Sequence, residues 1–226
     1  FRLCPCCTSC SPVRLSPCPR RGLWSVWMAP RKQLRLVTWD LDDTLWPTLP
    51  SILRAETALG TWLQMNFPEV HSKYNTAALR ALGADMKQQY PHLQHKLTEI
   101  RRMALAHALQ DCGVPLEVIS PAVDQAMDVF MAERNRVDFF PGALETLEQL
   151  QQKGYQQISI TDGNADLVSI GIHSYFAKAL SSSDFDQPKP DPAIYRAALQ
   201  SAGVQPHEAV HIGDDPVKDV EGARAL

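Results

Sequence analysis

Carboxylates follow directly on an apolar segment near the start of this chain. In LVTWDLDDTLWP, residues 36–47, a run typical of a buried strand leads into Asp40, Asp42 and Asp43. Asp40 and Asp42 lie two apart, so continued strand geometry would point both carboxylates to one side. There they could share a cation, or divide nucleophilic and proton-transfer roles. The alternative is a strand-ending turn, because Asp-Asp-Thr is also common in turns and caps.

Three later segments extend the pattern. Two are apolar runs that end in polar residues, QISITDGN at 157–164 and AVHIGDDPVKD at 209–219. The third, QPKPDPAIY at 187–195, is a proline-rich loop that leads into a helix with Asp191 and Pro192 as N-cap and first-turn residues. The polar residues that the three segments supply are Thr161, Asp162, Lys189, Asp214, Asp215 and Asp219. A hydroxyl, an ammonium group and two carboxylate clusters together predict a magnesium and phosphate site at the carboxyl ends of parallel strands.

These four motifs, in this order, resemble the haloacid dehalogenase-like (HAD) superfamily of phosphohydrolases, over a region from about residue 34 to residue 226. DLDDTLWP, TDGNADL and KPDP look like the bacterial branch of that superfamily that includes a flavin-pathway phosphatase. The resemblance implies that Asp40 is a nucleophile forming an aspartyl-phosphate, and that Asp42 acts first as an acid and then as a base. The activity implied is Mg²⁺-dependent hydrolysis of a small-molecule phosphate monoester.

The resemblance also implies roles for the remaining site residues. Thr161, the Asp162 position and Lys189 would bind phosphate, while Mg²⁺ would be held by the Asp40 side chain, the Asp42 backbone carbonyl and Asp214. Asp215 and Asp219 would support the metal site, or could be acidic residues that favour a helix N-terminus. Asp162 stands where the family usually has Asn, and we expect it to cap a turn rather than to face the substrate. His211 is expected to be packed and hydrogen-bonded rather than catalytic.

The first motif also helps to distinguish a phosphatase from other functions found in the same superfamily. Dehalogenase and phosphonatase relatives lack an acid two residues after the nucleophile, so Asp42 favours a phosphatase over both. Phosphomutases keep that acid, so a mutase is an alternative. A catalytically silent ligand-binding relative is a second alternative, because of the Asp162 departure and the position of the last residue, Leu226.

Composition agrees with a globular enzyme. The chain has 226 residues, 45% of them hydrophobic, and a net charge of −3, which argues against a general nucleic-acid binder. No apolar run approaches the length of a membrane span. We expect a cytoplasmic enzyme whose partner is a small phosphate ester, and the sequence predicts no oligomeric state.

The elements that position these residues indicate an α/β fold, with a three-layer Rossmann-like core around a parallel sheet. The chain between the first two sheet strands is too long for a single helical crossover, so an inserted helical cap is expected. The predicted core is residues 34–45 and 136–226, and the predicted cap segment is residues 46–135. Helices are expected at 52–65, 97–109, 119–133 and 142–153. Three cap arginines could meet a substrate, although a solvated helix face is preferred: Arg54, Arg101 and Arg102.

The sequence also makes predictions for the N-terminal and C-terminal segments of the chain. Residues 1–33 are predicted to be a leader that is disordered or upstream-translated. Residues 1–27 have no acidic residue and precede Met28, which favours upstream-translated sequence or a disordered leader, with a targeting peptide as the alternative. Zinc or disulfide use of the cysteines at 4, 6, 7, 10 and 18 is not favoured. Relatives with this motif order continue beyond the fourth strand, so we expect a C-terminally truncated core with an unpaired edge at the Val210 strand.

Overall fold

The structure is a computed structural model that describes residues 34–226. Its sheet has four parallel strands, β1 (Leu36–Trp39), β2 (Gln156–Thr161), β3 (Lys178–Ser181) and β4 (Ala209–Ile212). The strand order is β3-β2-β1-β4. In the register Trp39 lies beside Ser159 of β2 and Ile212 of β4, so the carboxyl ends of neighbouring strands meet at one edge. The leader and the five N-terminal cysteines lie outside the described residues.

Helices cover both faces of this sheet. Four core helices are present: α6 (Ala143–Gln152), α7 (Leu167–Ile170), α8 (Pro192–Ala202) and the short α9 (Gly222–Arg224), which follows a π-helical turn at Pro216–Glu221. Leu36 and Ile158 pack with α8, whereas Val37 and Trp39 pack with α6 and α7. Alternate residues of the strands therefore enter different hydrophobic clusters, as expected for a sheet buried on both faces. This arrangement confirms the predicted three-layer α/β core.

The cap segment consists of helices. They are α1 (Thr48–Asn66), α2 (Pro68–Lys73), α3 (Thr76–Gln89), α4 (Leu97–Asp111) and α5 (Leu116–Arg134). Their apolar side chains form a hydrophobic cluster of their own, in which Leu63, Leu109 and Phe130 are fully buried. The helices between β1 and β2 therefore have a hydrophobic cluster separate from those of the sheet.

The predicted helices are present: the first three extend a few residues beyond the predicted bounds, and α6 is one residue shorter at each end than the predicted 142–153. The 97–109 helix reaches Asp111, and the 119–133 helix begins at Leu116 because Pro115 can precede a helix and Pro121 is accommodated within the helix. The sequence analysis did not predict α2 and α3. Within the described residues β4 pairs only with β1, and the side chains of Val210 and Ile212 are exposed. None of the described helices combines the length and the apolar character needed to cross a membrane.

Candidate active site

A buried ion-pair network lies at the carboxyl end of β1. The Nζ atom of Lys189 donates to Asp40 Oδ1 at 2.6 Å, to Asp219 Oδ1 at 2.7 Å and to the carbonyl of Ile160 at 3.3 Å. The side chains of Lys189 and Asp219 are 2% exposed and that of Asp40 is 8% exposed. Residues from three separate segments are thereby fixed around the Asp40 carboxylate, as a preorganised site requires.

Local chain geometry places Lys189 in this network. Asp191 accepts a hydrogen bond from the Ala193 backbone N–H at 2.9 Å and caps α8, with Pro192 at its first position. This is the N-cap and first-turn pair expected from the sequence. Because the cap fixes where α8 begins, it also fixes the loop that carries Lys189 towards the sheet.

Asp219 acts as a support for this network. Its Oδ1 lies 3.0 Å from Nε2 of His211, and its Oδ2 accepts the backbone N–H of Asp215 at 3.0 Å. His211 is in turn 2.9 Å from the Thr38 hydroxyl, so it is packed and hydrogen-bonded, as the sequence analysis expected. A Cβ atom at Gly213 would overlap the Asp219 side chain, so glycine permits this close approach.

Asp42 lies in a different environment from Asp40. The side chain of Arg134, at the end of α5, donates to both Asp42 oxygens at 2.7 and 2.6 Å, and the indole of Trp46 donates to Oδ1 at 2.9 Å. Arg134 is 1% exposed and also donates to the Asn164 side chain at 3.3 Å. The strand itself ends at Trp39, so Asp42 is positioned by Arg134 and Trp46 and not by continued strand geometry.

The loop after β2 lies against the Asp42 carboxylate. Buried Thr161 accepts the Gly163 backbone N–H at 2.9 Å, which leaves its hydroxyl hydrogen free to donate to an anion. A Cβ atom at Gly163 would overlap Asp42 Oδ2. The glycine of TDGN therefore lets this loop lie directly against Asp42.

The structure corrects the expectation that Asp162 caps its own turn. Its Oδ1 accepts hydrogen bonds from the Ser182 hydroxyl and from the backbone N–H of Lys189 at 3.1 Å. Its Oδ2 forms an ion pair with Lys218 at 3.1 Å, outside hydrogen-bond geometry. Asp162 therefore ties the β2 loop to distant loops, a contact that local turn chemistry cannot reveal.

An all-oxygen cluster lies beside Asp40. Carboxylate oxygens of Asp40, Asp214 and Asp219 lie within 4.8 Å of one another, and the Thr44 hydroxyl lies 3.3 Å from Asp40 and 3.5 Å from Asp214. Hard oxygen donors at this density suit Mg²⁺. Asp215 accepts the backbone N–H groups of Val217 and Lys218, at 2.8 and 2.9 Å. Its side chain is thus a helix cap, the alternative left open by the sequence.

The pKa values of Asp40, Lys189 and Asp219 are shifted in different ways. Burial raises the pKa of Asp40 to about 6, against the opposing effect of Lys189. Burial also opposes the charge on Lys189, but Asp40 and Asp219 together outweigh it and raise the pKa of Lys189. For Asp219 the hydrogen bonds from His211 and Lys189 overcome burial and hold its pKa well below its usual range. The site therefore keeps Lys189 charged between two carboxyl groups of different proton affinity.

The solvated helix face that the sequence analysis preferred fits two of the cap arginines, since 38% of the Arg54 side chain and 39% of the Arg102 side chain are exposed, but it does not fit Arg101. Arg54 contacts Arg136 and Asp138, and Arg102 pairs with Asp124. Arg101 is largely buried, with its guanidinium 3.8 Å from the centre of the Phe130 ring. The sequence analysis also missed Arg134, Trp46 and Thr44 as site residues. Trp46 and Thr44 lie within the first motif, whereas Arg134 is 92 positions from Asp42 and gives no local signal.

Known proteins resemble this chain over most of its length. A family model described as haloacid dehalogenase-like hydrolase matches residues 34–226. The Escherichia coli (strain K12) protein 5-amino-6-(5-phospho-D-ribitylamino)uracil phosphatase YigB is 32% identical over 86% of this chain and 81% of its own length. The glyceraldehyde 3-phosphate phosphatase of Methanopyrus kandleri is 36% identical over 84% of this chain and 79% of its own.

A solved structure also matches the chain. The 2-haloacid dehalogenase from Pseudomonas syringae pv. Tomato DC3000 is 38% identical, with a TM-score of 0.78, over 85% of this chain and 83% of that protein. The family model covers most of the chain. The chain belongs to the haloacid dehalogenase-like hydrolase family.

Proposed function

We propose that this protein is a Mg²⁺-dependent phosphatase that hydrolyses small phosphate monoesters through a phosphorylated Asp40. The observation that carries the proposal is the separate placement of two carboxylates. Asp40 is paired with Lys189 beside an oxygen cluster, while Asp42 is held by Arg134 and Trp46. Two carboxylates held by different partners can act separately, one as nucleophile and the other as proton donor.

In the first step an Asp40 oxygen attacks phosphorus. The bond from phosphorus to the ester oxygen breaks, and the leaving oxygen takes the electron pair and a proton from Asp42. Lys189 holds Asp40 in place by the 2.6 Å hydrogen bond, and Thr161 donates its hydroxyl to a phosphoryl oxygen. In this role Lys189 limits repulsion between Asp40 and an anionic ester.

In the second step water attacks the phosphorylated Asp40. The Asp42 carboxylate takes the proton from that water, the bond between phosphorus and Asp40 breaks, and phosphate leaves. Asp40, the Asp42 carbonyl and Asp214 would hold Mg²⁺, with Asp219 as a support through Lys189. When bound, Mg²⁺ supplies positive charge that neutralises the phosphoryl oxygens.

The named dehalogenase among the structural relatives makes halide release a competing activity. A halide leaves as a stable anion without a proton, whereas an alkoxide requires one, so Asp42 favours phosphate esters. The test supplies purified protein with p-nitrophenyl phosphate or 2-chloropropionate, in Mg²⁺ or in EDTA. We expect phosphate release only with Mg²⁺, lost in Asp40→Asn, and no chloride release. Chloride release without phosphate release would overturn the proposal.

A further inference from the structure

The cap segment contains a cavity that is not used in the two steps above. It has a volume of about 220 Å³ and is lined mostly by residues of α1, α3 and α4. Leu59, Leu79 and Leu105 are among its apolar wall residues. Protein interiors are close-packed, and a cavity of about 150 Å³ is already large enough to hold a benzene molecule. This cavity, the cap cavity, therefore has room for one small ring or a short aliphatic chain.

Two glycines contribute to this volume. Gly60 lies within α1 and Gly83 lies within α3, and both line the cap cavity. Glycine inside a helix is less favourable than alanine. A Cβ atom at either position would lie no closer than 3.6 Å to its nearest neighbour, which is ordinary van der Waals contact. Helix packing therefore does not require glycine at these positions, and the effect of the two glycines is to leave the cavity open.

Arg101 is a cation on the wall of the cap cavity. Phe130 covers its guanidinium, with 3.8 Å between the Cζ atom and the centre of the ring. Arg101 has no hydrogen-bond or ion-pair partner among the described residues, and burial lowers its pKa to about 10, so it stays charged at neutral pH. A largely buried charge without a bonded partner is destabilising. This guanidinium is therefore suited to an anion that is not part of the chain.

The charges around the cap cavity also favour an anion. The charged wall residues are three cations and one carboxylate: Arg80, Lys87, Arg101 and Glu56. Glu56 is already paired with Arg80, so it leaves Arg101 without a bonded carboxylate. A guanidinium that is fixed on an aromatic face can bind a carboxylate through two parallel hydrogen bonds.

We infer that the cap cavity is a binding site for a small carboxylate with an apolar body, and that this ligand is distinct from the phosphate ester. Arg101 binds the carboxylate group, and the apolar walls contact the body of the ligand. None of the residues that act in the two proposed steps lines the cap cavity. The site therefore goes beyond the proposed phosphatase function and does not depend on it, and the ligand and the ester can be bound at the same time.

The test measures binding to the purified protein by calorimetry. The probes are benzoate and hexanoate, each compared with its uncharged amide, which has nearly the same size and shape. We expect at least one acid to bind with a Kd on the order of 0.1–1 mM, and its amide to bind roughly tenfold more weakly or worse. The bound acid, at about 10 mM, should raise the Tm by roughly 3–10 °C.

A competition experiment separates this site from the site around Asp40. Inorganic phosphate with Mg²⁺ at saturating concentration should change the affinity for the acid less than about twofold. Competition between phosphate and the acid would place the acid at the catalytic carboxylates and would overturn the inference. Because binding is measured without turnover, failure of the proposed phosphatase function would not affect this result.

Arg101→Gln removes the cation that the inference requires. This variant should bind the acid roughly tenfold more weakly or worse, with the affinity for the amide unchanged within about twofold. Arg102→Gln is the matched control, because Arg102 is next in sequence but pairs with Asp124 on the surface, and it should bind the acid as the unaltered protein does.

A second variant keeps the inference testable if Arg101→Gln does not fold. Leucine is a good helix former, and at Gly83 its Cβ atom would lie 3.9 Å from Ile100, another wall residue, so Gly83→Leu should fill part of the cavity. We expect Gly83→Leu to have a Tm no lower than that of the unaltered protein and to lose binding of the acid. Undiminished binding in Gly83→Leu or in Arg101→Gln, equal affinity for acid and amide, or no binding of either acid would overturn the inference.

Discussion

Replacement of Arg134 by Gln should separate the role of Asp42 from that of Asp40. Arg134 donates to both oxygens of Asp42 at 2.6 and 2.7 Å, and its side chain is 1% exposed whereas that of Asp42 is 19% exposed. Gln is shorter and neutral, so it cannot reproduce this charged contact, in which Nη2 of Arg134 reaches both carboxylate oxygens. The Asp40 and Lys189 contacts do not involve Arg134.

The cost in stability follows from this burial. Removal of one partner from a buried ion pair costs about 3–5 kcal/mol, and the partial exposure of Asp42 favours the lower end, about 3 kcal/mol. For a domain of this size each kcal/mol corresponds to roughly 2–4 °C, so the Tm of Arg134→Gln should fall by roughly 6–12 °C. Assays should therefore be run well below the Tm of the variant.

Activity should fall unequally for two kinds of ester. An alkyl phosphate needs a positioned proton donor, which contributes roughly 100- to 10,000-fold, so kcat/KM for glycerol phosphate, which reports only the first step, should fall about 100-fold. p-Nitrophenolate leaves without a proton, so kcat/KM for p-nitrophenyl phosphate should fall less than about tenfold. The second step, which uses Asp42 as a base, should slow by the same factor for both esters. Arg136→Gln, which removes a surface pair with Glu133, is the matched control and should match the unaltered protein. Equal falls in kcat/KM for both esters, or none, would refute the positioning role.

Three further predictions address other parts of the site. Asp162→Asn should change KM less than about twofold, because an amide oxygen can still accept hydrogen bonds from Ser182 and Lys189. The lost ion pair with Lys218 contributes at most about 1 kcal/mol. A large fall in KM at neutral pH would show that this carboxylate faces the substrate. Gly163→Ala should lower kcat for alkyl esters, because the added Cβ atom would displace the Asp42 carboxylate. Gly83→Ala is the control, because a Cβ atom at that position meets no atom closer than ordinary van der Waals contact. Identical steady-state kinetics for the two variants would contradict this prediction. Mg²⁺ affinity, measured by calorimetry, should be constant above about pH 7 and fall roughly tenfold per pH unit below pH 6. The reason is that the pKa of Asp40 is raised to about 6, so below that pH its carboxyl group must lose a proton before it can bind the metal. Constant affinity from pH 5 to 7 would argue against Asp40 as a ligand.

The sequence alone predicted the elements that carry their own local signals. Apolar runs that end in Asp40 or Thr161 predicted β1 and β2, and the Asp191 cap predicted the start of α8. The family resemblance then assigned roles to residues already singled out by type and spacing. That combination accounts for the α/β core and for the meeting of four motifs at one edge of the sheet.

What the sequence could not give depends on contacts between distant residues. Arg134 and Asp42 are far apart in the chain, and their pairing arises only when α5 ends beside the first motif. The Asp162 contacts to Ser182 and Lys189 likewise depend on how three loops pack. Burial of Arg101 against Phe130 is a result of helix packing in the cap segment. In each case the sequence shows the type of the residue, but it does not show which distant residue will contact it.

The central claim is that Asp40 becomes phosphorylated during turnover. The most direct test is to mix the protein with Mg²⁺ and a ³²P-labelled phosphate ester, quench in acid within one turnover, and locate the label by peptide mass spectrometry. We predict acid-stable, hydroxylamine-labile phosphate on the peptide that contains Asp40, absent from Asp40→Asn and from samples in EDTA. Phosphate release by the unaltered protein with no label on this peptide, or equal release by Asp40→Asn, would contradict the account.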